Sequence, residues 1–309
     1  MKKVLVLGAG GYFGSAVVKS LSERSEFEVI CVYRGEGSSP GKSANSYFIN
    51  ALDYDAMLNV LALSRPDIVI NLVGRIPGLI KNQNIALVKD NFMTALNLME
   101  AADELNLMAK IVLVSSAAEY QIQSESTPLN ENHNCVPAGI YGLSKNTMTR
   151  FAYFYREQRE LDIVVARVFN VIGPGAGQDT VAGSVLKQLV QSQKDIVAKQ
   201  DIQLGDLSAI RDFVDVRDMA RALTHLGENK TQHLIYNLCS SKPTQVRSII
   251  ESLVEVSGLD VKLVEKIDLA RSENPSFSLG DNSRLIDNGF DFSYSLKDSI
   301  RDMWLHEIA

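Results

Sequence analysis

The segment "YGLSK" sets a phenol and an ammonium four residues apart, at Tyr141 and Lys145. On a helix, positions i and i+4 share one face, so the two side chains can meet. A free tyrosine titrates near pH ~10, and a cation beside it favours the phenolate. Such a tyrosine can exchange a proton with a substrate oxygen near neutral pH. Upstream, "VLVSSAAEY" closes an apolar run and offers Ser116 as a partner hydroxyl. Each feature has a plain alternative: tyrosine and lysine fall at this spacing by chance, and a serine can simply end a strand. A third feature weighs against chance. "VLGAGGYFG" runs from an apolar stretch into glycines at positions 8, 10, 11 and 14. Glycines between a strand and a helix let backbone N–H groups approach a pyrophosphate, and the helix N-terminus adds partial positive charge. Phe13 stands where a GxGxxG pattern needs its last glycine, so the spacing that fits is GxxGxxG, through Gly8, Gly11 and Gly14.

These residues need a scaffold, and the hydrophobic pattern supplies one. "KKVLVLG", "FEVICVY", "SYFIN", "DIVINLVG", "KIVLVSS" and "DIVVARVFN" read as strands, most of them nearly all apolar, which implies helices on both faces. Helical patterns alternate with them: "GSAVVKSLSER", "YDAMLNVLALS", a single long "IALVKDNFMTALNLMEAADELN" and "LSKNTMTRFAYFYREQREL". Regular β–α alternation predicts an α/β fold with a doubly wound, Rossmann-type parallel sheet. After Asn170 the pattern changes. "GPGAGQ" is a turn-rich loop, followed by the helix "VAGSVLKQLVQ", the strand "DIQLGD", the helix "VRDMARALTHLGE" and the strand "HLIYNLC". Two more helices, "QVRSIIESLVEVSG" and "SLKDSIRDMWLHEI", end the chain. We expect residues 1–170 to form the dinucleotide-binding domain, with 212–240 returning to it. Residues 171–211 and 241–309 then form a smaller cap over the carboxyl ends of the strands, where such sheets bind ligands.

The chain has 309 residues, 46% hydrophobic and 22% charged, enough to bury a large core. A net charge of −6 without a long basic run argues against a nucleic-acid partner. Cys31, Cys135 and Cys239 are far apart, odd in number and lack metal-ligand spacing, which implies reduced thiols, no metal and a cytoplasmic setting. "MKKVLVLGAGG" breaks into glycines too early for a signal peptide, and no apolar stretch is long enough to span a bilayer.

The glycine spacing, Ser116 and the Tyr141–Lys145 pair, in this order, resemble the short-chain dehydrogenase/reductase superfamily. The resemblance implies that Ser116, Tyr141 and Lys145 are catalytic, that Lys145 also holds the nicotinamide ribose, and that Gly8, Gly11, Tyr12, Phe13 and Gly14 bind the cofactor. Asn91 in "KDNFMTALNLMEAA" matches an asparagine that supports the active-site helix, although a lone helical asparagine can equally be a surface residue. "NLVG" matches the loop beside the adenine ribose, through Leu72, Val73 and Gly74, and Asp53 matches an aspartate that contacts adenine.

An acid about 20 residues past the glycines would hold the ribose 2′-hydroxyl of NAD. "FEVICVY" is followed instead by Arg34, which can meet a 2′-phosphate with a forked, charge-assisted contact. NADP(H) is therefore favoured. NAD(H) stays open, with Arg34 solvated and Glu36 taking the ribose.

The length, "RVFNVIGPG" and "LGDLSAIRDFVDVRDMARA" resemble the extended branch of the superfamily, the NAD-dependent epimerase/dehydratase family, which acts on nucleotide sugars. The resemblance assigns Arg211 to the diphosphate and Asn170 to the nucleotide sugar. Arg211 could instead bridge to Asp215 or Asp218. Sugar dehydratases carry an acidic pair after the Ser/Thr, where this chain has Ala117 and Ala118, so dehydration is disfavoured. Glu119, two residues beyond, is expected either at the sugar or in a solvated loop. Together with "YNLCSS" and "SLGDNSRL", these segments resemble GDP-4-keto-6-deoxy-D-mannose reductases, with departures at Leu7 and Ala176 that leave base and sugar open. The implied reaction is NAD(P)H-dependent reduction of the C4 keto group of a nucleoside-diphosphate 4-keto-6-deoxyhexose, GDP-linked or dTDP-linked. The alternatives are a UDP-hexose 4-epimerase with bound NAD and a cofactor-sensing regulator without turnover. The family resemblance also implies a homodimer through the helices of Asn91 and Tyr141, where "FAYFY" is either an interface or core.

Overall fold

The computed structural model describes residues 1–35, 45–77, 84–121, 127–177, 180–194, 201–265 and 277–309; Glu36 lies outside them. The first half alternates as its apolar runs predict. In chain order it contains β1 (Lys2–Leu7), α1 (Tyr12–Ser22), β2 (Phe27–Tyr33), β3 (Ser46–Phe48), α2 (Tyr54–Ser64) and β4 (Ile68–Asn71). There follow α3 (Asn84–Val88), a π-helical turn (Lys89–Met93), α4 (Thr94–Glu104), β5 (Lys110–Ser116), α5 (Ile140–Gln158) and β6 (Ile163–Val168).

The second half holds β7 (Asn170–Ile172), α6 (Val181–Lys194), β8 (Asp201–Leu204), β9 (Ile210–Asp215), α7 (Val216–Glu228) and β10 (Ile235–Leu238). It ends with β11 (Pro243–Gln245), α8 (Val246–Ser257), β12 (Lys262–Glu265), β13 (Phe277–Ser278), α9 (Ser283–Asp287) and α10 (Leu296–Ile308).

The main sheet has the strand order β10-β6-β5-β4-β1-β2-β3, and every pairing in it is parallel. It is a Rossmann-type sheet, doubly wound as the alternation predicts. Side chains leave a strand on alternate faces. On β1, Val4 and Val6 pack with Val17 of α1 and Met219 of α7, while Leu5 and Leu7 pack with Met57 of α2, Leu98 of α4 and Met148 of α5. Both faces are dry, which is why these strands contain almost no polar residue. The order reverses between β1 and β4, so a crevice opens at their carboxyl ends.

The later segments build a second core around α6, α8 and α10, with Leu189, Leu253 and Trp304 buried in it. Beside it, β9 is flanked by β11, β13 and β7, and β8 pairs with β12. Tyr12 packs against both the main and the second core, and its hydroxyl donates to the Gly173 carbonyl at 3.1 Å.

Two differences from the sequence reading concern elements around the cleft. The long helix expected over 85–106 is two helices joined by the π turn. The strand β9, "IRDFVD", was hidden by its charges, because Asp212 is fully buried. That carboxylate accepts N–H bonds from Ser240 at 2.7 Å, Ser241 at 3.0 Å and Gly280 at 3.2 Å, so it is satisfied rather than solvated. The three cysteines are free, and among the described residues no helix is long and apolar enough to cross a membrane.

Candidate active site

Gly8 ends β1 with φ of 81°, a left-handed conformation that glycine adopts without a Cβ penalty. A Cβ there would stand 3.1 Å from the Leu72 and Val73 backbone, so the loop after β4 closes directly against it. Gly11 is the N-cap of α1 and makes no side-chain cap bond. The first-turn N–H groups of Tyr12, Phe13 and Gly14 therefore remain as the donors a helix start presents to an anion. The side chains of Tyr12 and Phe13 are turned into the packing, so these two residues can serve a ligand only through their backbone.

Around this turn lies a cavity of about 270 Å³, lined by Gly8, Gly10 and Gly11, by Val32, Tyr33 and Arg34 at the end of β2, and by Asn50 to Leu52. Leu72, Val73, Gly74, Asp90 and Thr94 close its other side. The room above Gly8 and the uncapped helix start fit the pyrophosphate and adenosine of a dinucleotide. Arg34 stands at the rim, 69% exposed, with Nη2 3.3 Å from Asp90 Oδ2.

Asp53 corrects the sequence reading. Its carboxylate does not line the cavity but caps α2, accepting the Ala56 N–H at 3.1 Å. An aspartate just before a helix finds the orphan N–H groups of the first turn more readily than a ligand. Asn50, which the sequence reading missed, lines the cavity instead.

Asn91 is only 1% exposed and grips the loop after β4. Its Oδ1 accepts the Arg75 N–H at 2.9 Å, and its Nδ2 donates to the Arg75 carbonyl at 2.9 Å. A Cβ at Gly74 would stand 2.8 Å from Asn91 Oδ1 and 3.2 Å from Lys145 Nζ, so this loop joins the cavity to the Tyr141–Lys145 helix.

Ser116, Tyr141 and Lys145 are brought together by α5 and the end of β5. Inside the "YGLSK" segment, a Cβ on Gly142 would collide with the Ala118 carbonyl, so the helix start lies directly on the loop that follows Ser116. The Ser116 hydroxyl lies close enough to the Tyr141 phenol to ease its loss of a proton. Burial pushes that phenol above its usual value, the Ser116 contact pulls it partly back, and the Glu119 charge adds to the rise. The expectation that Lys145 draws the phenol down is not met. The ammonium instead donates to the Val114 carbonyl at 2.9 Å. Burial lowers Lys145 to about 8, and Glu119 works against that fall.

Glu119 is the second correction. It touches neither solvent nor the cleft, with 0% exposure. Arg167 Nη2 donates to it at 2.8 Å, Thr149 Oγ1 at 2.8 Å and Asn146 Nδ2 at 3.3 Å, and Ser115 Oγ completes the set. It ties β5, β6 and α5 together behind Ser116, Tyr141 and Lys145. The sequence reading placed it at the sugar or in solvent because its partner Arg167 lies in an otherwise apolar strand. The Arg167 guanidinium also stacks over Tyr120 at 4.5 Å.

Arg211 on β9 donates from Nη1 to the neighbouring Ile210 carbonyl at 2.9 Å, and among the described residues it has no ion pair. Burial lowers its affinity for the proton, and Asp206 partly opposes this. The bridging alternative fails, because Asp215 holds Arg217 at 2.8 Å and Asp218 holds Arg221 at 2.5 Å. Asn170 donates to the Asp212 carbonyl at 2.9 Å, so it is fixed to the same strand. Among the described residues no group of His, Cys, Asp and Glu side chains is arranged to hold a metal ion.

Known proteins share both the sequence pattern and the fold of this chain. The sequence model of the family described as "NAD dependent epimerase/dehydratase family" matches residues 4–239. A GDP-6-deoxy-D-mannose reductase of Pseudomonas aeruginosa is 27% identical over 240 residues, covering 76% of this chain and 78% of that one. A GDP-6-deoxy-D-talose 4-dehydrogenase of Aggregatibacter actinomycetemcomitans is 27% identical over 289 residues, covering 92% and 90%. The structure of RMD from Pseudomonas aeruginosa with NADPH superposes with a TM-score of 0.85 at 22% identity, covering all of both chains. That of a UDP-glucose 4-epimerase from Thermotoga maritima with UDP-glucose gives 0.86 at 24% identity, covering 99% and 98%.

Proposed function

The chain belongs to the NAD dependent epimerase/dehydratase family and is an NAD(P)-dependent enzyme, and from that premise we propose that it reduces the C4 keto group of a nucleoside-diphosphate 4-keto-6-deoxyhexose, GDP-linked in the first instance. The observation that carries this reading is the placement of Ser116 at the end of β5 and of Tyr141 and Lys145 at the start of α5, with alanines at 117 and 118. This set has a proton donor for a carbonyl oxygen and no acid–base pair for expelling water. When bound, the nicotinamide supplies the hydride that forms the new C–H bond at C4. Tyr141 gives its phenolic proton to the C4 oxygen as charge builds there. Burial keeps that phenol protonated at neutral pH, the form an acid needs. Ser116 hydrogen-bonds the same oxygen, and Lys145, held by the Val114 carbonyl, takes the nicotinamide ribose. Gly8, Gly11, Gly14 and Leu72 to Gly74 hold the dinucleotide, and Arg34 favours a 2′-phosphate and hence NADP(H) over NAD(H). Arg211, half-buried and without an ion pair among the described residues, takes the substrate diphosphate, with Asn170 held to the same strand.

The test uses GDP-4-keto-6-deoxymannose and NADPH deuterated at the transferring position. Consumption of NADPH with deuterium at C4 of the product is expected. Tyr141→Phe should keep the fold and lose about 10²–10⁴-fold in turnover. Label elsewhere, or a Phe variant of normal rate, overturns the reading. Interconversion of UDP-hexoses without net NADPH loss points to the epimerase, and binding without any turnover to a regulator.

A second copy of the chain is the partner that the surface suits. Ile85 and Val88 of α3 and Leu143, Phe151 and Phe154 of α5 are exposed rather than core, Phe154 by 47% and Ile85 by 74%. Contiguous apolar side chains on neighbouring helices are characteristic of an interface. We propose a homodimer through α3 and α5, which sedimentation of the wild type against Phe154→Glu would test.

A further inference from the structure

The sequence carries no acid at the tip of β2, where an NAD ribose would want one, and the fold brings an acid there from another element. Asp90, 56 residues beyond Arg34, lines the same cavity as Gly8, Val32 and Arg34. The carboxylate is 8% exposed and anchored. Its Oδ2 accepts from Arg75 Nε at 2.8 Å, and Thr94 Oγ1 donates to its backbone carbonyl at 2.8 Å. Arg34 shares that same oxygen at 3.3 Å but is 69% exposed. One carboxylate oxygen thus serves two cations, one fixed and one loosely held.

We propose that Asp90 sets the choice between a free and a phosphorylated 2′-position on the cofactor's adenosine ribose. The inference rests on the reading that this cavity holds that ribose. A free 2′-hydroxyl donates to the carboxylate, a charge-assisted bond that no residue of β2 can make. A 2′-phosphate must draw Arg34 away from Asp90 and then sit near a like charge, which opposes it. Arg34 attracts the phosphate, Asp90 restrains it, and the balance lets one pocket accept both cofactors.

The probes are 5′-ADP and 2′,5′-ADP, titrated calorimetrically against wild type, Asp90→Asn and Arg34→Ala. Neither needs turnover or the sugar substrate. Asp90→Asn should tighten 2′,5′-ADP and weaken 5′-ADP, moving their affinity ratio by about 10- to 100-fold, the range of one charge-assisted contact. Arg34→Ala should move the ratio the other way, and in the double variant the gain for 2′,5′-ADP should mostly vanish. If Asp90→Asn is unstable, Asp90→Ser carries the same comparison. Wild type binding both probes with a ratio unmoved by either Asp90 variant overturns the role of Asp90 and leaves the cofactor site standing. Wild type binding neither probe overturns both.

Discussion

Two carboxylate–arginine pairs serve this cleft, and the fold treats them in opposite ways. Glu119 and Arg167 are 0% and 1% exposed and meet at 2.8 Å, with hydroxyl and amide donors filling the carboxylate's remaining sites. Asp90 and Arg34 meet at 3.3 Å, with the arginine 69% in water. The charges are the same and the consequences differ. A pair cut off from water cannot exchange partners, because either ion alone would be stranded in an apolar interior. A pair at a rim can let one partner go to a ligand at small cost. The first pair fixes how β5, β6 and α5 sit against one another, and the second can respond to what enters.

The sharpest way to break this comparison is Glu119→Ala. It leaves the Arg167 cation buried without its counter-charge, and the expected loss is about 3–5 kcal/mol in a urea unfolding curve. Replacing both residues with apolar ones should recover most of that. If Glu119→Ala costs no more than a surface change, the buried pair is not the clamp described.

Lys145 gives the next largest effect, with the opposite sign. Its ammonium titrates at about 8 in the fold against 10.5 in an unfolded chain. Between those values the unfolded state binds more protons, so stability should rise with pH across the window. Below pH 8 the full penalty stands, about 3 kcal/mol at one pH unit per ~1.4 kcal/mol. Lys145→Met should therefore stabilise the ligand-free protein at pH 7 while removing activity, and the gain should shrink as pH approaches 10.5. Equal stability of the two proteins at pH 7 would contradict a strained, buried lysine.

A third arginine sharpens the contrast. Arg211 has no ion pair among the described residues, so Arg211→Ala should barely alter unfolding. It should weaken the sugar nucleotide by about 1.5–3 kcal/mol while NADPH affinity holds, both read by titration. Parallel loss of both ligands would make it structural. The smallest effect belongs to Arg34→Ala, expected to change stability by less than about 1 kcal/mol, since exposed pairs contribute little.

These pairs also mark where the sequence could and could not be read. The sheet was legible because buried parallel strands need unbroken apolar runs, as in "VLVL" of β1 and "IVVA" of β6. The glycine turn and the Tyr141–Lys145 helix were legible because their spacing is local. Asp90 was not, since its partner Arg34 lies 56 residues away and only the fold joins them. Glu119 was misread for the same reason: a glutamate after a strand suggests water until Arg167 of β6 is seen beneath it. Asp53 was misassigned because capping and ligand binding ask for the same residue type. The short strands β11 and β13 carry too few residues to show a period at all.

The π turn has a consequence of its own. An α-helix is a screw that advances about 100° per residue, so a turn wound one residue wider re-indexes everything threaded after it. The surplus at Lys89–Met93 lets α3 keep Ile85 outward while Asp90 and Asn91 face inward, 6% and 1% exposed, ahead of the buried face of α4. Length here is therefore fixed even where composition is not. Removing one residue would heal the turn into ordinary helix with α3 and α4 still in phase, and would lose the extra inward position that lets Asp90 and Asn91 both face the cleft. A scan of single-residue deletions should find this stretch intolerant, including at positions whose side chains can be exchanged freely.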